Sequence, residues 1–335
     1  MIFNLFANCI PVKGARRSII CDIQRGDFKF IPNALYELLT IHKGKTLSNI
    51  KAAYNNEYNN YIDEYFKFLQ QHEFGFWSDE PEAFPPINLD WEHTSIITNA
   101  IVDVDAHSDH NYIAIAAELD ELDCKALQLR VYDGITGTTL ENMLIPFKLS
   151  RLRSIELMLK FIPSVSLEAL NNLCEKNQRI SSIIVHSAPF NQKNAAVNMK
   201  VPILYSTEEI KDHSHCGVVN PSYFVVNITS FMESINHNNC LNRKISIDIK
   251  GNIKNCPSLP KSYGNIKDGS LKEAIQADGF TDFWSISKDQ IEICCDCEFR
   301  YICLDCRAFL KQAELNLSKP LKCNYDPYSA TWLDN

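Results

Sequence analysis

The residues best suited to chemistry are cysteines clustered towards the end of the chain. Eight of the thirteen lie there: Cys240, Cys256, Cys294, Cys295, Cys297, Cys303, Cys306 and Cys323. Cys294 with Cys297, and Cys303 with Cys306, form two C-x2-C pairs, and Cys295 is an extra thiol inside the first pair. Thiolates at this spacing ligate zinc ions and iron–sulfur clusters. The spacing therefore predicts metal binding. Unligated core positions are the better explanation for the scattered cysteines, Cys9, Cys21, Cys124 and Cys174.

Composition places the chain among soluble globular proteins. Its 335 residues are 45% hydrophobic and 22% charged, which is typical of a protein with two or three domains. No apolar stretch approaches the ~20 residues that span a bilayer. The formal net charge of −8 argues against a nucleic-acid partner, because phosphate binding needs a basic face. Neither glycine-rich nucleotide-binding motif is present.

The N-terminal sequence bears on the cellular compartment. MIFNLFANCIPVKGARR carries its positive charge after a short apolar stretch, which is the reverse of a secretory signal peptide. We therefore expect a cytoplasmic protein with no membrane partner. Thiols stay reduced in the cytoplasm, so the C-x2-C pairs favour metal ligation over disulfides.

Residues 1–80 have the pattern of a small sheet followed by helices. Short β-rich runs, FNLFANC, RRSIICDI and FKFI, come first. One helix is predicted to begin near Pro32 and Asn33, and a second after Thr46. A third carries an apolar stripe at helical spacing, formed by Ile62, Tyr65, Phe66 and Leu69. This order predicts a winged-helix-like module, and the acidic, proline-rich SDEPEAFPP that follows is interpreted as a linker.

Residues 92–232 alternate between apolar runs and helical stretches. The strand candidates are IITNAIVDV, ALQLRVY, SIELMLKF, ISSIIVHS, VPILYS and SYFVVNI. Six strands separated by crossovers predict a parallel α/β sheet or partial barrel. Residues 238–335 are turn-rich and hold the clustered cysteines. There KISIDIKGNIKNC predicts a hairpin, with Lys250, Gly251 and Asn252 at its turn.

The last segment resembles a SPASM domain, the cysteine-rich extension of many radical-SAM enzymes that modify peptides. Cys240, Gly251 and Cys256 match its C-x10-G-x4-C element, and the later cysteines match the remainder of its seven-cysteine pattern. The sequences IDIKGNIKNCP, YGNIKDGSLKEAI and CDCEFRYICLDCR are also similar to that family. One departure is the two-residue gap between Cys303 and Cys306, where three residues are commoner.

The middle segment resembles a degenerate radical-SAM partial (β/α)6 barrel. Members of that family carry C-x3-C-x2-C after the first strand, to bind the cluster that cleaves S-adenosylmethionine. This chain has DAHSDHNY there, and YDGITG where a Gly-Gly-Glu-Pro-like turn would follow the second strand. The resemblance therefore does not extend to radical chemistry, and we expect no S-adenosylmethionine.

The first segment resembles the leader-peptide recognition module of peptide-modifying enzymes, in which a leader adds a strand to the sheet beside the third helix. Together the three segments resemble the SPASM-domain peptide maturase of the grasp-with-spasm system. That resemblance implies two partners, an ATP-grasp ligase and a ribosomally made precursor peptide.

The resemblance also implies how the cysteines divide between two [4Fe–4S] clusters. One cluster would be held by Cys294, Cys297, Cys303 and Cys323. The other would be held by Cys240, Cys256 and Cys306, with a fourth ligand from upstream. Cys216 and His237 are candidates for that ligand, and an iron left open to substrate is the third option. Zinc remains the alternative metal.

Two polar loops are weaker candidates for a site. Asp105, His107 and His110 follow the first strand of the middle segment, where D-x-H-x-x-H could bind a metal or move a proton. A second loop precedes the last predicted strand and contains His213, Ser214, His215 and Cys216. We favour a solvated polar loop in both places, although the second could complete the neighbouring cluster.

Three further residues and one stripe have two interpretations each. His186 could line a pocket, but a hydrogen-bonded structural histidine is the favoured interpretation. Arg300 and Arg307 lie beside cluster cysteines and could offset cluster charge; an ordinary solvated arginine is an equal alternative for Arg300. Tyr65 and Phe66 are interpreted mainly as core, with only their rim able to meet a leader peptide.

Two functions remain open at this point. The first is a peptide maturation enzyme whose clusters bind or oxidise precursor side chains. The second is a non-catalytic adaptor that presents the precursor to the ligase, with clusters or zinc only as structural cross-links. An enzyme alters the mass of the peptide by itself, whereas an adaptor only speeds its ligase.

Overall fold

The computed structural model describes residues 1–194 and 201–333. The strands within these ranges are β1 Ile2–Leu5, β2 Cys9–Val12, β3 Ser18–Asp22, β4 Asp27–Ile31, β5 Gly75–Ser78, β6 Asn99–Val104, β7 Ala126–Val131, β8 Ser154–Lys160, β9 Ile180–His186, β10 Gln192–Asn194, β11 Ile203–Tyr205, β12 Lys244–Ile247, β13 Ile253–Lys254, β14 Tyr325–Asp326 and β15 Thr331–Trp332. The α-helices are α1 Asn33–Ile41, α2 Leu47–Ala53, α3 Asn59–Gln71, α4 Tyr112–Glu121, α5 Gly137–Leu144, α6 Leu167–Lys176, α7 Ile228–Asn236 and α8 Leu271–Gln276.

The N-terminal segment is a three-stranded antiparallel sheet followed by three helices. Strand order is β2-β3-β4, and β5 returns after α3 to pair with β1. The predicted helices are confirmed: α1 begins after Pro32, and the Thr46 hydroxyl accepts the Asn49 N–H at the start of α2. The stripe on α3 is also confirmed as core, because Ile62, Phe66 and Leu69 are buried.

Strand β3 is buried on both of its faces. Ile20 packs among the helices of its own segment. Ile19 and Cys21 pack on the opposite side, in a cluster that includes Phe299, Ile302 and Cys303 of the cysteine-rich segment. All five β3 residues are buried. The N-terminal sheet is therefore the middle layer between its helices and the cysteine-rich segment.

The middle of the molecule is a mixed α/β structure built on an eight-stranded, mostly parallel sheet. Its order is β10-β11-β9-β8-β7-β6-β12-β13. Strands β6 to β9 are parallel neighbours in chain order, with α4, α5 and α6 in the crossovers. Because parallel strands share one direction, the loops after them lie at one edge of the sheet. Two antiparallel pairs, β10–β11 and β12–β13, close the sides.

The sixth predicted strand, SYFVVNI, is wrong. A 3₁₀ turn occupies Pro221–Tyr223, and α7 begins at Ile228. Between them Phe224 and Val226 pack on the cluster around Phe299. The middle of this apolar run is therefore half-buried by packing and does not pair in the sheet, while Tyr223 and Ile228 at its ends are exposed. The sixth parallel strand is instead β12, which pairs with β6.

The predicted hairpin is confirmed and extends the sheet beyond the middle segment. β12 and β13 pair with Ser246 opposite Lys254 and Ile247 opposite Ile253. Gly251 lies in the turn with φ +83°, a left-handed conformation that favours glycine. The first strands of the cysteine-rich segment are thus anchored to the central sheet.

None of the helices in the described ranges is both long and apolar enough to cross a membrane.

The two-sided burial of β3 leads to a stability prediction. Ile19→Ala should destabilise the full chain by roughly 2–5 kcal/mol, because it leaves a cavity in a closed cluster. Ile113→Ala is the control, since Ile113 is 74% exposed on α4. Urea unfolding should show a clearly lower midpoint for the first variant and an unchanged midpoint for the control. Equal midpoints would mean that the β3 face is not a core.

Candidate metal centre

Four cysteines of the C-terminal segment act on one another electrostatically. We call Cys294, Cys297, Cys303 and Cys323 the second set. Burial raises the pKa of Cys294 to about 12, and the charges of Cys323 and Cys303 add to that increase. The pKa of Cys297 is raised well above its usual range by burial, with further contributions from Cys303 and Cys294. The assignment of these four cysteines to one cluster stays a prediction.

A buried lysine offsets the charge of the second set. Burial raises the pKa of Cys303 to about 11, while the Lys288 ammonium opposes that shift. Lys288 is buried, and its Nζ donates to the Cys303 carbonyl oxygen. A cation held here can stabilise thiolates, because opposite charges close together favour the ionised form.

Three more cysteines make up the first set, Cys240, Cys256 and Cys306. Burial raises the pKa of Cys256 to about 12, and the charge of Cys240 raises it further. The pKa of Cys306 is raised by burial and then by Cys240. Lys244 Nζ lies 3.6 Å from Cys240 Sγ. Burial alone would lower the pKa of Lys244, but the neighbouring thiolates outweigh it, so the pKa of this lysine is raised.

The donor chemistry of both sets fits iron–sulfur clusters or zinc. Every member is a thiol, the ligand that both kinds of site use, and each set has its own lysine. In residues 1–194 and 201–333, no three His, Cys, Asp or Glu side chains are arranged as a ready group of ligands for one metal ion. Ligation by these seven cysteines therefore stays a prediction.

Cys216 lies beside a buried ion pair. Arg130 and Asp103 face each other on β7 and β6, and Arg130 binds the carboxylate with Nε at 2.6 Å and Nη2 at 2.8 Å. The remaining nitrogen, Nη1, donates to Cys216 Sγ over 2.8 Å. The first thiolate set thus has a neighbour that is positioned by the central sheet.

The loop between Cys297 and Cys303 is fixed by the N-terminal segment. Glu298 is fully buried and accepts from Arg17 Nε at 2.8 Å and from the Tyr325 hydroxyl at 2.5 Å. The Phe299 ring contacts Phe28 and Phe30 of β4, at centroid distances of 5.7 and 5.8 Å. The N-terminal sheet therefore packs directly against residues next to a predicted ligand.

The polar groups of the loop after β6 bond to different neighbours, and His110 Nδ1 has no hydrogen-bond partner among the described residues. Asp105 accepts the His107 N–H and the Ser108 hydroxyl, both at 2.9 Å. His110 Nε2 lies 2.9 Å from the Asp103 carbonyl oxygen. The three candidates Asp105, His107 and His110 are therefore not brought together at one point.

The second polar loop separates its members. A 3₁₀ turn spans His213–His215. His213 Nδ1 lies 3.2 Å from the Ser258 hydroxyl, and His215 Nε2 lies 3.2 Å from a Glu208 carboxylate oxygen. Only Cys216 reaches the Arg130 side chain. His186 is a buried structural histidine, as expected, with Nε2 at 3.3 Å from the Val131 carbonyl oxygen.

The two arginines beside the cysteines brace loops. Arg307 is buried, donates to Asp305 at 2.5 Å and donates to the Ser318 carbonyl oxygen at 2.8 Å. Arg300 donates to Asp289 at 2.8 Å and also to the Cys297 carbonyl oxygen at 3.0 Å. Neither is a freely solvated side chain.

The fourth-ligand candidate His237 has aromatic surroundings. Its ring lies against Trp91, with centroids 5.4 Å apart. Burial lowers the pKa of His237, and the positive charge of Arg243 lowers it further. Its Nδ1 has no hydrogen-bond partner among the described residues.

Sequence reasoning missed Asp103, Arg130, Lys244, Lys288 and Glu298. Asp103 and Arg130 lie 27 positions apart, and only the strand register pairs them. A charged residue inside an otherwise apolar strand, such as the arginine in ALQLRVY, is the signal that could have indicated a buried pair. Of the scattered cysteines, Cys9, Cys21 and Cys124 are buried core residues, as expected, and Cys174 is partly buried.

Comparisons with known proteins give little. No protein-family model and no curated protein matches the sequence. Among solved structures, Streptococcus suis SuiB bound to S-adenosylmethionine is 9% identical, over 95% of this chain and 98% of that one, with a TM-score of 0.38. SuiB bound to precursor peptide SuiA is 10% identical, over 91% and 96%, with a TM-score of 0.29. A likeness at these TM-scores and identities does not indicate a function for this chain.

Substitution of one cysteine ligand should remove the metal that its set binds. Cys297→Ala should lose the metal of the second set and lower thermal stability, because metal binding contributes to folding. Cys295→Ala is the matched control, since Cys295 is exposed in the same stretch. Metal content and thermal unfolding should change in the first variant only. A Cys297→Ala protein with full metal content and stability would refute the assignment.

Metal binding should strengthen as the pH rises. The raised pKa values of Cys256, Cys294 and Cys303 mean that these thiols carry protons at neutral pH. Each must lose its proton to become a ligand, so apparent affinity should rise by up to about tenfold per pH unit for each such thiol. Zinc titration in weak buffer with a pH indicator should show proton release on loading. Loading without proton release would contradict thiol ligation.

Proposed function

We propose that the chain is an iron–sulfur protein of ribosomal peptide maturation, which acts with an ATP-grasp ligase on a precursor bound by its leader. The observation that carries this proposal is the spacing of seven cysteines, Cys240, Cys256, Cys294, Cys297, Cys303, Cys306 and Cys323, in the C-terminal segment. The cysteine spacing resembles that of a SPASM domain, which places two [4Fe–4S] clusters in these sets. Zinc is the alternative occupant, and reduced thiols imply a cytoplasmic protein.

The N-terminal segment supplies the surface for the leader. In the sheet order β2-β3-β4, β4 is an edge strand. An edge strand presents unpaired N–H and C=O groups to which an extended peptide can add. Phe30 on this strand is 47% exposed. We assign leader binding to the edge of β4, as the resemblance to a winged-helix-like recognition module implies.

The clusters and the chain have separate tasks in this proposal. When bound, iron–sulfur clusters supply one-electron transfer and binding of soft ligands. Lys288 and Lys244 place positive charge beside the second and first sets. Arg17 and Tyr325 hold Glu298, and with it the loop that carries Cys297 and Cys303. No step through S-adenosylmethionine is proposed, since the cysteines that would serve it are missing after β6.

The adaptor function is the second candidate. The loop after β6 favours it, because its Ser108 hydroxyl lies within hydrogen-bond distance of the Asp105 carboxylate, at 2.9 Å, and of the Ile249 carbonyl oxygen, at 2.8 Å. That loop occupies the place where the resemblance would put the catalytic cluster. In this version the clusters serve as cross-links, and the precursor is only presented to the ligase.

Metal analysis tests the proposal at its base. Protein purified without oxygen should be brown and hold about eight irons and eight sulfides per chain, as two [4Fe–4S] clusters require. An absorbance spectrum and iron, sulfide and zinc analysis make the measurement. A colourless protein loaded with zinc would favour the adaptor function over the maturase.

Leader binding should be measured on the full chain, because the face of β3 that carries Ile19 is covered by the cysteine-rich segment. A labelled precursor should bind saturably, and hydrogen exchange should slow in Asp27–Ile31 and Asn59–Gln71. The β14–β15 hairpin is the internal control. Protection elsewhere, with none in β4, would move recognition to another surface.

Peptide mass separates the maturase from the adaptor. Three mixtures are compared: the loaded protein with precursor, the ligase with precursor, and all three together. A mass change without ligase supports the enzyme. A faster ligase reaction with no mass change of its own supports the adaptor.

A further inference from the structure

The first set contains three thiols, one fewer than a [4Fe–4S] cluster or a closed zinc site uses. The inference below rests on the proposed function, since it concerns how that set is completed. Its candidates are Cys216, His237 and an open metal position. They differ in what surrounds each of them in the fold.

Cys216 is tied to both parts of the molecule that meet at the first set. Its Sγ accepts from Arg130 Nη1 at 2.8 Å, on the side of the central sheet. Its carbonyl oxygen accepts from Lys322 Nζ at 2.7 Å, next to Cys323. The Val219 N–H also donates to the Lys322 carbonyl oxygen at 3.2 Å. The Cys216 loop is therefore held against the cysteine-rich segment by two hydrogen bonds and against the central sheet by one.

The residue after Cys216 touches a member of the first set. Gly217 has φ +86°, and a Cβ at this position would lie 2.9 Å from Cys306 Sγ and 3.0 Å from Phe309. Only glycine allows this approach of backbone to thiol. The backbone next to Cys216 therefore lies against the Cys306 thiol.

His237 is placed differently. Its ring lies against Trp91, and Arg243 is its charged neighbour. The free Nδ1 of His237 is the one feature in its favour.

We propose that Cys216 is the fourth ligand of the first set, and that the Arg130–Asp103 pair positions its sulfur. Arg130 keeps its charge at all relevant pH values, and its third nitrogen, Nη1, stays available for the sulfur after Nε and Nη2 bind Asp103. A hydrogen bond to a ligating sulfur orients the ligand and shifts the reduction potential of the metal group. The first set is then closed, with no iron left open to substrate, and it joins the central sheet to the cysteine-rich segment.

Ligand variants of the full chain test this proposal by metal content and electron paramagnetic resonance, not activity. Cys216→Ser should lose the iron and sulfide of the first set, or alter the resonance of its reduced form, while the second set remains. His237→Ala should retain both sets. Cys216 is exposed, so its replacement leaves no core cavity. Circular dichroism checks the fold.

Two further comparisons use neighbours of the proposed ligand. Gly217→Ala should also disturb the first set, because its methyl group meets Cys306. Gly44→Ala is the matched control, since Gly44 has φ +78° and nothing within 4 Å of the added Cβ. Arg130→Gln should retain iron but shift the reduction potential of the first set alone, which a merely structural arginine would not do.

The outcomes are distinct. If wild type carries two clusters and Cys216→Ser is indistinguishable from it, this inference is overturned and the proposed function stands. Loss of the first set in His237→Ala would assign the ligand to His237 instead. If wild type binds zinc, the same variants are compared by zinc content. If wild type binds neither metal, the proposed function itself fails, and this inference with it.

Discussion

The stability of the cysteine-rich segment depends on bringing together thiols that burial keeps protonated. Burial raises the pKa of Cys256, Cys294 and Cys303 to about 11 or 12, so the free thiols resist the ionisation that ligation requires. Beyond β13 the described chain has one α-helix of six residues and two strands of two residues each. A segment with so little regular structure gains stability from cross-links. Metal bonds among these thiols would supply them, and Lys244 and Lys288 supply the opposing charge.

The same segment is also held from outside by the N-terminal sheet. Strand β3 is buried between the helices of its own segment and the cluster around Phe299. Arg17 binds Glu298, which is the residue after Cys297. A peptide added at the edge of β4 would therefore lie close to the loop of the second set. This arrangement would bring the proposed leader surface next to the proposed metal sets.

The sequence predicted what depends on local spacing. C-x2-C pairs, the stripe on α3 and the turn at Gly251 were all visible in it, as were five of the six parallel strands. SYFVVNI misled because a short apolar run that is half-buried by packing has the same composition as a strand. The contact of Arg130 with Asp103 depends on strand register, which spacing does not reveal. The two-sided burial of β3 was hidden because only the tertiary arrangement places a second layer over it.

The central claim is that the cysteines form two separate sets, and native mass spectrometry of the intact chain under anaerobic conditions tests it most directly. The wild-type protein should show two mass increments, each the size of one cluster. One increment should disappear in Cys240→Ser and the other in Cys303→Ser, and both in the double variant. A single increment, or one that both substitutions abolish, would contradict the division into two sets.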